Sequence, residues 1–230
     1  MSDAPLHLPV VSAREIASRQ VLLALSVRGT PLAGAHTVPG QYARLTFEDG
    51  VPRQFVIASP PNSPTLEFLL KVPSERVDEL TTLGPSDRVL VGRPHGDGFP
   101  IAKAEGHPVL LVGVGSGVAA LHSVIEHMLP RRTAYGEATL LYGVRYQNEL
   151  AFTDRFGTWA GHGIKVVPVV SRPGEGWDGA TGYVQRQLPK RFTKPAELCV
   201  FLCGLPEMDK AVAAALLERG VGRDQLHRNW

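Results

Sequence analysis

The sequence predicts a two-domain β + α/β protein, a small antiparallel β-barrel followed by a parallel-sheet α/β domain. The first hundred residues break into short strands punctuated by turn residues, as a small barrel does. After about Lys103 the pattern changes to continuous apolar strands alternating with amphipathic helices, which implies a parallel sheet covered on both faces. The length, 230 residues, accommodates two domains of ordinary size. The boundary is expected near residues 98–106, giving domains 1–103 and 104–230.

In the first domain, strands are expected at 19–28, 41–47, 54–58, 66–71 and 88–92. Pro39-Gly40, Glu48-Asp49-Gly50, Pro60-Pro61-Asn62 and Gly84-Pro85 supply the turns between them. One helix is expected at 74–83, with Ser74 as N-cap, Glu75 in the first turn, and an apolar stripe of Val77, Leu80 and Leu83. In the second domain, strand 109–112 leads into helix 118–128, and 139–142 into 149–160. Strand 165–169 enters a long loop, and 198–202 leads into 207–219.

Several function classes are excluded by composition. At 43% hydrophobic and 20% charged the chain is a globular one, and a formal charge of +2 is too small to argue for nucleic acid. The longest apolar run, 108–121, is broken by Gly113, Gly115, Ser116 and Gly117, so no membrane span is expected. The opening Met1-Ser2-Asp3-Ala4-Pro5 has neither a basic nor an apolar leader region, and the expectation is a cytoplasmic protein. Two cysteines, Cys199 and Cys203, cannot alone hold a four-cysteine iron–sulfur cluster, so any such centre belongs to a partner. No metal site is expected: His122 and His127 fall five apart on a helix, not the three or four that would align them.

The segment with the most chemistry is Val109-Leu110-Leu111-Val112-Gly113-Val114-Gly115-Ser116-Gly117-Val118, a buried strand, a glycine turn and a helix start. Small residues let the backbone approach a pyrophosphate, whose charge the free N–H groups of the helix start stabilise. No Lys-Ser or Lys-Thr follows, so it is not a Walker loop. Cys203 closes the last long strand, at the end where open α/β sheets bind ligands.

Five segments in order resemble the ferredoxin–NADP reductase-like superfamily, from about Pro39 to Trp230. They are Pro39-Gly40-Gln41-Tyr42, Arg53-Gln54-Phe55-Val56-Ile57-Ala58-Ser59, Gly115-Ser116-Gly117-Val118-Ala119-Ala120, Tyr142-Gly143-Val144-Arg145 and Cys203-Gly204-Leu205-Pro206-Glu207-Met208. The resemblance implies a six-stranded barrel of the flavin-binding type, an NAD(P)-binding α/β domain, and a hydride passed from NADPH or NADH to FAD and onward as electrons to an acceptor the sequence does not identify, a protein among the candidates. It implies that Arg53 faces the flavin phosphate, that Gln54, Phe55 and Val56 lie along the flavin, and that Ser74 and Arg76 serve its pyrophosphate. It likewise implies a nucleotide held by Gly113, Gly115, Gly117, Val118, Gly204 and Met208, with Ser116 and Cys203 beside the nicotinamide and Trp230 stacked on the flavin. Arg145 and Arg172 would meet the adenosine ribose; two arginines favour a 2′-phosphate, though NADH-using relatives also carry them. Val56 stands where the family often has a hydroxyl donor, and 71–77 lacks glycine. Two other readings therefore stay open: a flavin-free NAD(P)-binding module, and an electron-transfer subunit of a larger complex.

Overall fold

The computed structural model of the chain describes residues 4–229. Its first element was not expected from the sequence: strand β1 (Leu6–Ala17) precedes the predicted ones. Pro9 and the polar stretch from Ser12 to Glu15 hide its alternation. The strand succeeds by serving two neighbours, pairing first with β6 (Arg88–Val91) and then with β2 (Gln20–Ser26), with register shifts after Val10 and after Glu15. Such irregularities turn a barrel's corner.

With β3 (Tyr42–Thr46), β4 (Pro52–Val56) and β5 (Thr65–Lys71) this makes a six-stranded antiparallel sheet in the order β4-β3-β6-β1-β2-β5. It closes where the Ala58 N–H donates to the Glu67 carbonyl at 2.7 Å and Ile57 bridges Phe68. Leu8, Leu23, Ala43, Leu45, Phe68 and Val91 fill the interior and are fully buried; each of these other than Ala43 contributes about 1.5–3 kcal/mol. Helix α1 (Glu75–Thr81) adds Val77 and Leu80 to that core. Ser74 sits at its N-cap but in helical φ/ψ, and no side-chain bond forms there. The Ser74 carbonyl instead accepts from the Val77 N–H at 3.1 Å.

A turn of 3-10 helix, Ile101–Ala104, leads to the second sheet. There β7 (Val109–Val114), β8 (Ala138–Val144), β9 (Ile164–Val170), β10 (Ala180–Thr181), β11 (Cys199–Cys203) and β12 (Leu226–Arg228) run parallel in the order β10-β9-β8-β7-β11-β12. Helices α2 (Val118–Met128), α3 (Thr153–Gly161) and α4 (Pro206–Leu217) connect them. The helix predicted from 149 begins only at Thr153, because Phe152 takes a left-handed φ of 59° and Glu149 folds back on the preceding loop. Chain order reverses on either side of β7, so the carboxyl ends of β7, β8 and β11 open a crevice. No helix among the described residues is long and apolar enough to cross a membrane.

The sheets meet through Phe99, whose ring packs 5.1 Å from that of Phe201. Gly40 is needed beneath it, since a Cβ there would stand 2.8 Å from Phe99 Cδ2.

Candidate functional site

A cleft of about 1030 Å³ lies between barrel and parallel sheet. Its floor is the glycine turn. Gly115 has φ +55°, and the place a Cβ would take is open. At Gly117 a Cβ would lie 2.5 Å from the Cys203 carbonyl oxygen, so glycine there lets β11 and the turn close on one another. Gly115, Ser116 and Gly117 line the cleft, and among the described residues no side chain caps the start of α2. The Val118 N–H is taken by carbonyls of the glycine turn, so what the start of α2 offers an anion is the positive end of the helix dipole. Gly113 and Val118, expected to touch the nucleotide, are not on the cleft. Gly113 makes room for Leu121 behind the sheet, and Val118 is fully buried in the core.

Beside the turn stand Cys203, Gly204, Leu205, Glu207 and Met208. Burial pushes the Cys203 thiol up to about 12, so it is a neutral thiol and not a nucleophile near neutral pH. Gly204 is pressed between Val114 and Met208, where a Cβ would meet Val114 Cγ2 at 2.6 Å.

Farther along, Arg145 lines the cleft after β8. Its loop is shaped by Glu149, whose carboxylate accepts from the N–H groups of Arg145 and Tyr146, each at 3.1 Å. The Arg172 N–H donates to the Arg145 carbonyl at 2.8 Å, joining the two arginine loops, although Ser171 rather than Arg172 reaches the cleft. Tyr183 completes this end, 59% exposed, with the Arg186 guanidinium 5.9 Å from its ring centroid.

The opposite wall comes from the barrel. Gln54 and Val56 line the cleft, whereas Phe55, expected against the flavin, does not. Strand alternation turns it to the other face, where it packs on the barrel core. The aromatic ring on this wall is Tyr42, opposite in alternation to the fully buried Ala43. Burial first, then Cys203 and Asp97 nearby, raise its phenol above the ordinary range, so Tyr42 keeps its proton and can donate. Arg53 and Arg76 also miss the cleft. Arg53 makes a two-pronged contact with Asp49, at 3.1 and 2.7 Å, and Arg76 sits 3.7 Å from the same carboxylate while bonding Glu79. The hydrogen bond from Arg53 holds the Asp49 carboxyl below its usual range. The cations facing the cleft on this side are Arg19 and Lys71, which the sequence reading passed over. Ser74 lies on a neighbouring groove with Arg19.

Of the expected residues, Gln54, Val56, Gly115, Ser116, Gly117, Arg145, Cys203, Gly204 and Met208 are brought together. Trp230 lies outside the described residues. Asn229 before it lines the cleft and donates through Nδ2 to the Gly40 carbonyl at 3.1 Å.

Residues 111–214 match the family model described as the oxidoreductase NAD-binding domain. The chain is 30% identical over 187 residues to the sulfhydrogenase 1 subunit gamma of Pyrococcus furiosus, covering 79% of this chain, and 31% identical over 205 residues to the fruit protein pKIWI502 of Actinidia deliciosa, covering 82%. It spans 64% of the length of each of these relatives. The crystal structure of the cytochrome P450 reductase GcoB of Amycolatopsis superposes with a TM-score of 0.81 at 26% identity, covering 98% of this chain and 69% of that one.

Proposed function

Because this chain belongs to the ferredoxin–NADP reductase-like superfamily of FAD/NAD-binding proteins, we propose that it is an NAD(P)H-dependent flavoprotein oxidoreductase. In this reading it takes a hydride from NAD(P)H onto FAD and passes the electrons to a partner protein. The observation that carries it is the two-walled cleft, with Tyr42 and Val56 facing Ser116 and Cys203 across a volume able to hold two ring systems.

Bound FAD would supply the chemistry, accepting two electrons as hydride, taking one further proton from solvent, and releasing NAD(P)⁺. The protein's part is placement. The glycine turn and the uncapped start of α2 hold the nucleotide pyrophosphate, and Ser116 offers a hydroxyl at the nicotinamide end. The uncharged Cys203 thiol packs beside that ring without competing as a nucleophile. Tyr42 donates from the barrel wall, and Lys71, with Arg19 3.9 Å from Glu149 beside it, supplies positive charge for the flavin phosphates, whereas Arg53 is spent on Asp49 and Arg76 on Glu79. At the far end Arg145 and the Ser171-Arg172 loop receive a 2′-phosphate, with Tyr183 offering a stacking face for the base; this favours NADPH over NADH. Both cysteines are free thiols, which suits the reducing cytoplasm. The Pyrococcus relative is named as a subunit, which supports a protein acceptor.

Val56, with no hydroxyl, and the Asp49-bound arginines favour one alternative, a flavin-free NAD(P)-binding module. Gel filtration after incubation with FAD separates the two. Flavin absorbance that travels with the protein supports the reductase, whereas colourless protein that still binds NADPH by calorimetry selects the module. Parallel titrations with NADH and NADPH then rank the nucleotides.

A further inference from the structure

We infer that His122 and Ser123 are positioning residues for hydride transfer, a buried strut that holds the glycine turn at a fixed distance from the barrel wall. The inference rests on the flavin and NAD(P)H reading above and adds residues that this reading leaves unused.

The His122 Nδ1–H donates to the Ala58 carbonyl at 2.9 Å, and the Ser123 hydroxyl donates to the Ser59 carbonyl at 2.7 Å. Both donors are buried and lie 64 residues from their acceptors, so each bond crosses from one domain to the other. Their places in the chain give the bonds their meaning. Helix α2 starts directly after Gly117, and His122 and Ser123 occupy its second turn. Ala58 and Ser59 follow Val56, which faces the cleft, by two and three residues. These two hydrogen bonds therefore tie the helix that follows Ser116 to the segment that follows Val56, alongside the packing of Val56, Ala58 and Leu69 in one cluster with the start of α2.

Both ends of the strut are rigid. On the barrel side the Ala58 N–H is tied to the Glu67 carbonyl at 2.7 Å, and the Ser59 hydroxyl accepts from the Glu67 N–H at 3.1 Å. On the helix side the imidazole stacks on Phe152 at 4.0 Å between centroids and meets the edge of Trp159 at 5.6 Å. Trp159 Nε1 in turn donates to Glu126 Oε1 at 2.9 Å, and Arg155 grips both oxygens of that carboxylate. The ring is thereby held with Nδ1 toward Ala58. Simple glue between domains needs no such orientation, whereas a spacer does, because a displacement of about 1 Å can cost on the order of 100-fold in rate.

The test compares His122→Leu, Ser123→Ala and His122→Asn, the last keeping an N–H donor near the position of Nδ1. The expected result is that H122L and S123A bind FAD and NADPH within about threefold of the parent yet transfer hydride about tenfold or more slowly. They also lose the long-wavelength absorbance of stacked flavin and nicotinamide rings, and H122N recovers most of both. If H122L does not fold, S123A and H122N decide. Parent-like rates and absorbance in folded S123A overturn the strut, as does an H122N no better than H122L. A readout without cofactor separates the strut from the functional reading. In the apoprotein, amide hydrogens of 115–117 exchange faster in S123A than in the parent while those of β2 do not, and equal exchange overturns the strut. Absence of flavin binding in the parent instead contradicts the reductase reading and leaves hydrogen exchange to judge the strut.

Discussion

The two walls of the cleft are made of different materials. On the parallel-sheet side the contact surface is mostly backbone: Gly115 leaves space, Gly117 closes on the Cys203 carbonyl, and the start of α2 is left uncapped. On the barrel side it is mostly side chain, Tyr42, Gln54, Val56, Arg19 and Lys71, while Arg53 and Arg76 are engaged by Asp49. A backbone surface tolerates almost no substitution, because nothing can rotate away. A side-chain surface can be rewritten by one ion pair.

Substitution at the turn should therefore cost most. In Gly117→Ala the new Cβ meets Cys203 backbone atoms at 2.5 and 2.9 Å, and relief requires parting the turn from β11. A loss of about 2–4 kcal/mol in urea unfolding is expected, with NADPH binding weakened about tenfold or more. Gly115→Ala, where the space is open and only the left-handed φ resists, should cost about 1–2 kcal/mol. Equal effects at the two positions would break the distinction.

Acid is the next largest effect and tests the barrel side. His36 bonds the Val38 carbonyl just before β3, and burial lowers its pKa to about 4. Its stabilisation is full above the unfolded value of about 6.5 and is lost as pH falls toward 4, on the order of 3 kcal/mol. His122, lowered chiefly by burial, acts in the same direction. Urea midpoints should fall across that window, and less so in His36→Gln.

Arg145→Ala should weaken NADPH about tenfold and leave NADH nearly unchanged, read by parallel calorimetric titrations. The smallest effect sharpens the comparison most. Asp49→Asn releases Arg53, while Arg76 stays on Glu79, and FAD affinity should rise about threefold by fluorescence quenching. An unchanged affinity would mean that the ion pair is not what keeps Arg53 from the flavin.

The same difference in materials explains what the sequence makes legible. The glycine turn, the strand–helix alternation and the Cys203 segment are readable because backbone geometry demands particular residues at particular places. Strand β1 is not, because its irregular pairing with two partners hides the period of two. Phe55 is misplaced by trusting a motif over strand alternation, which points it to the barrel core. Alternation from buried Ala43 could have nominated Tyr42 instead. Asp49 stands four residues before Arg53, and a partner so near in sequence was a readable warning. Arg19 carries no motif: only the β1–β2 hairpin, with Arg19 at a left-handed φ of 58°, brings it to the cleft.

The central claim, that one cleft holds a flavin against a reducing nicotinamide, is tested most directly by mixing FAD-loaded protein with NADPH in the absence of oxygen and following the visible flavin absorbance. The account predicts rapid bleaching, with NADPH faster than NADH. Flavin that binds and is not bleached by either nucleotide would contradict it.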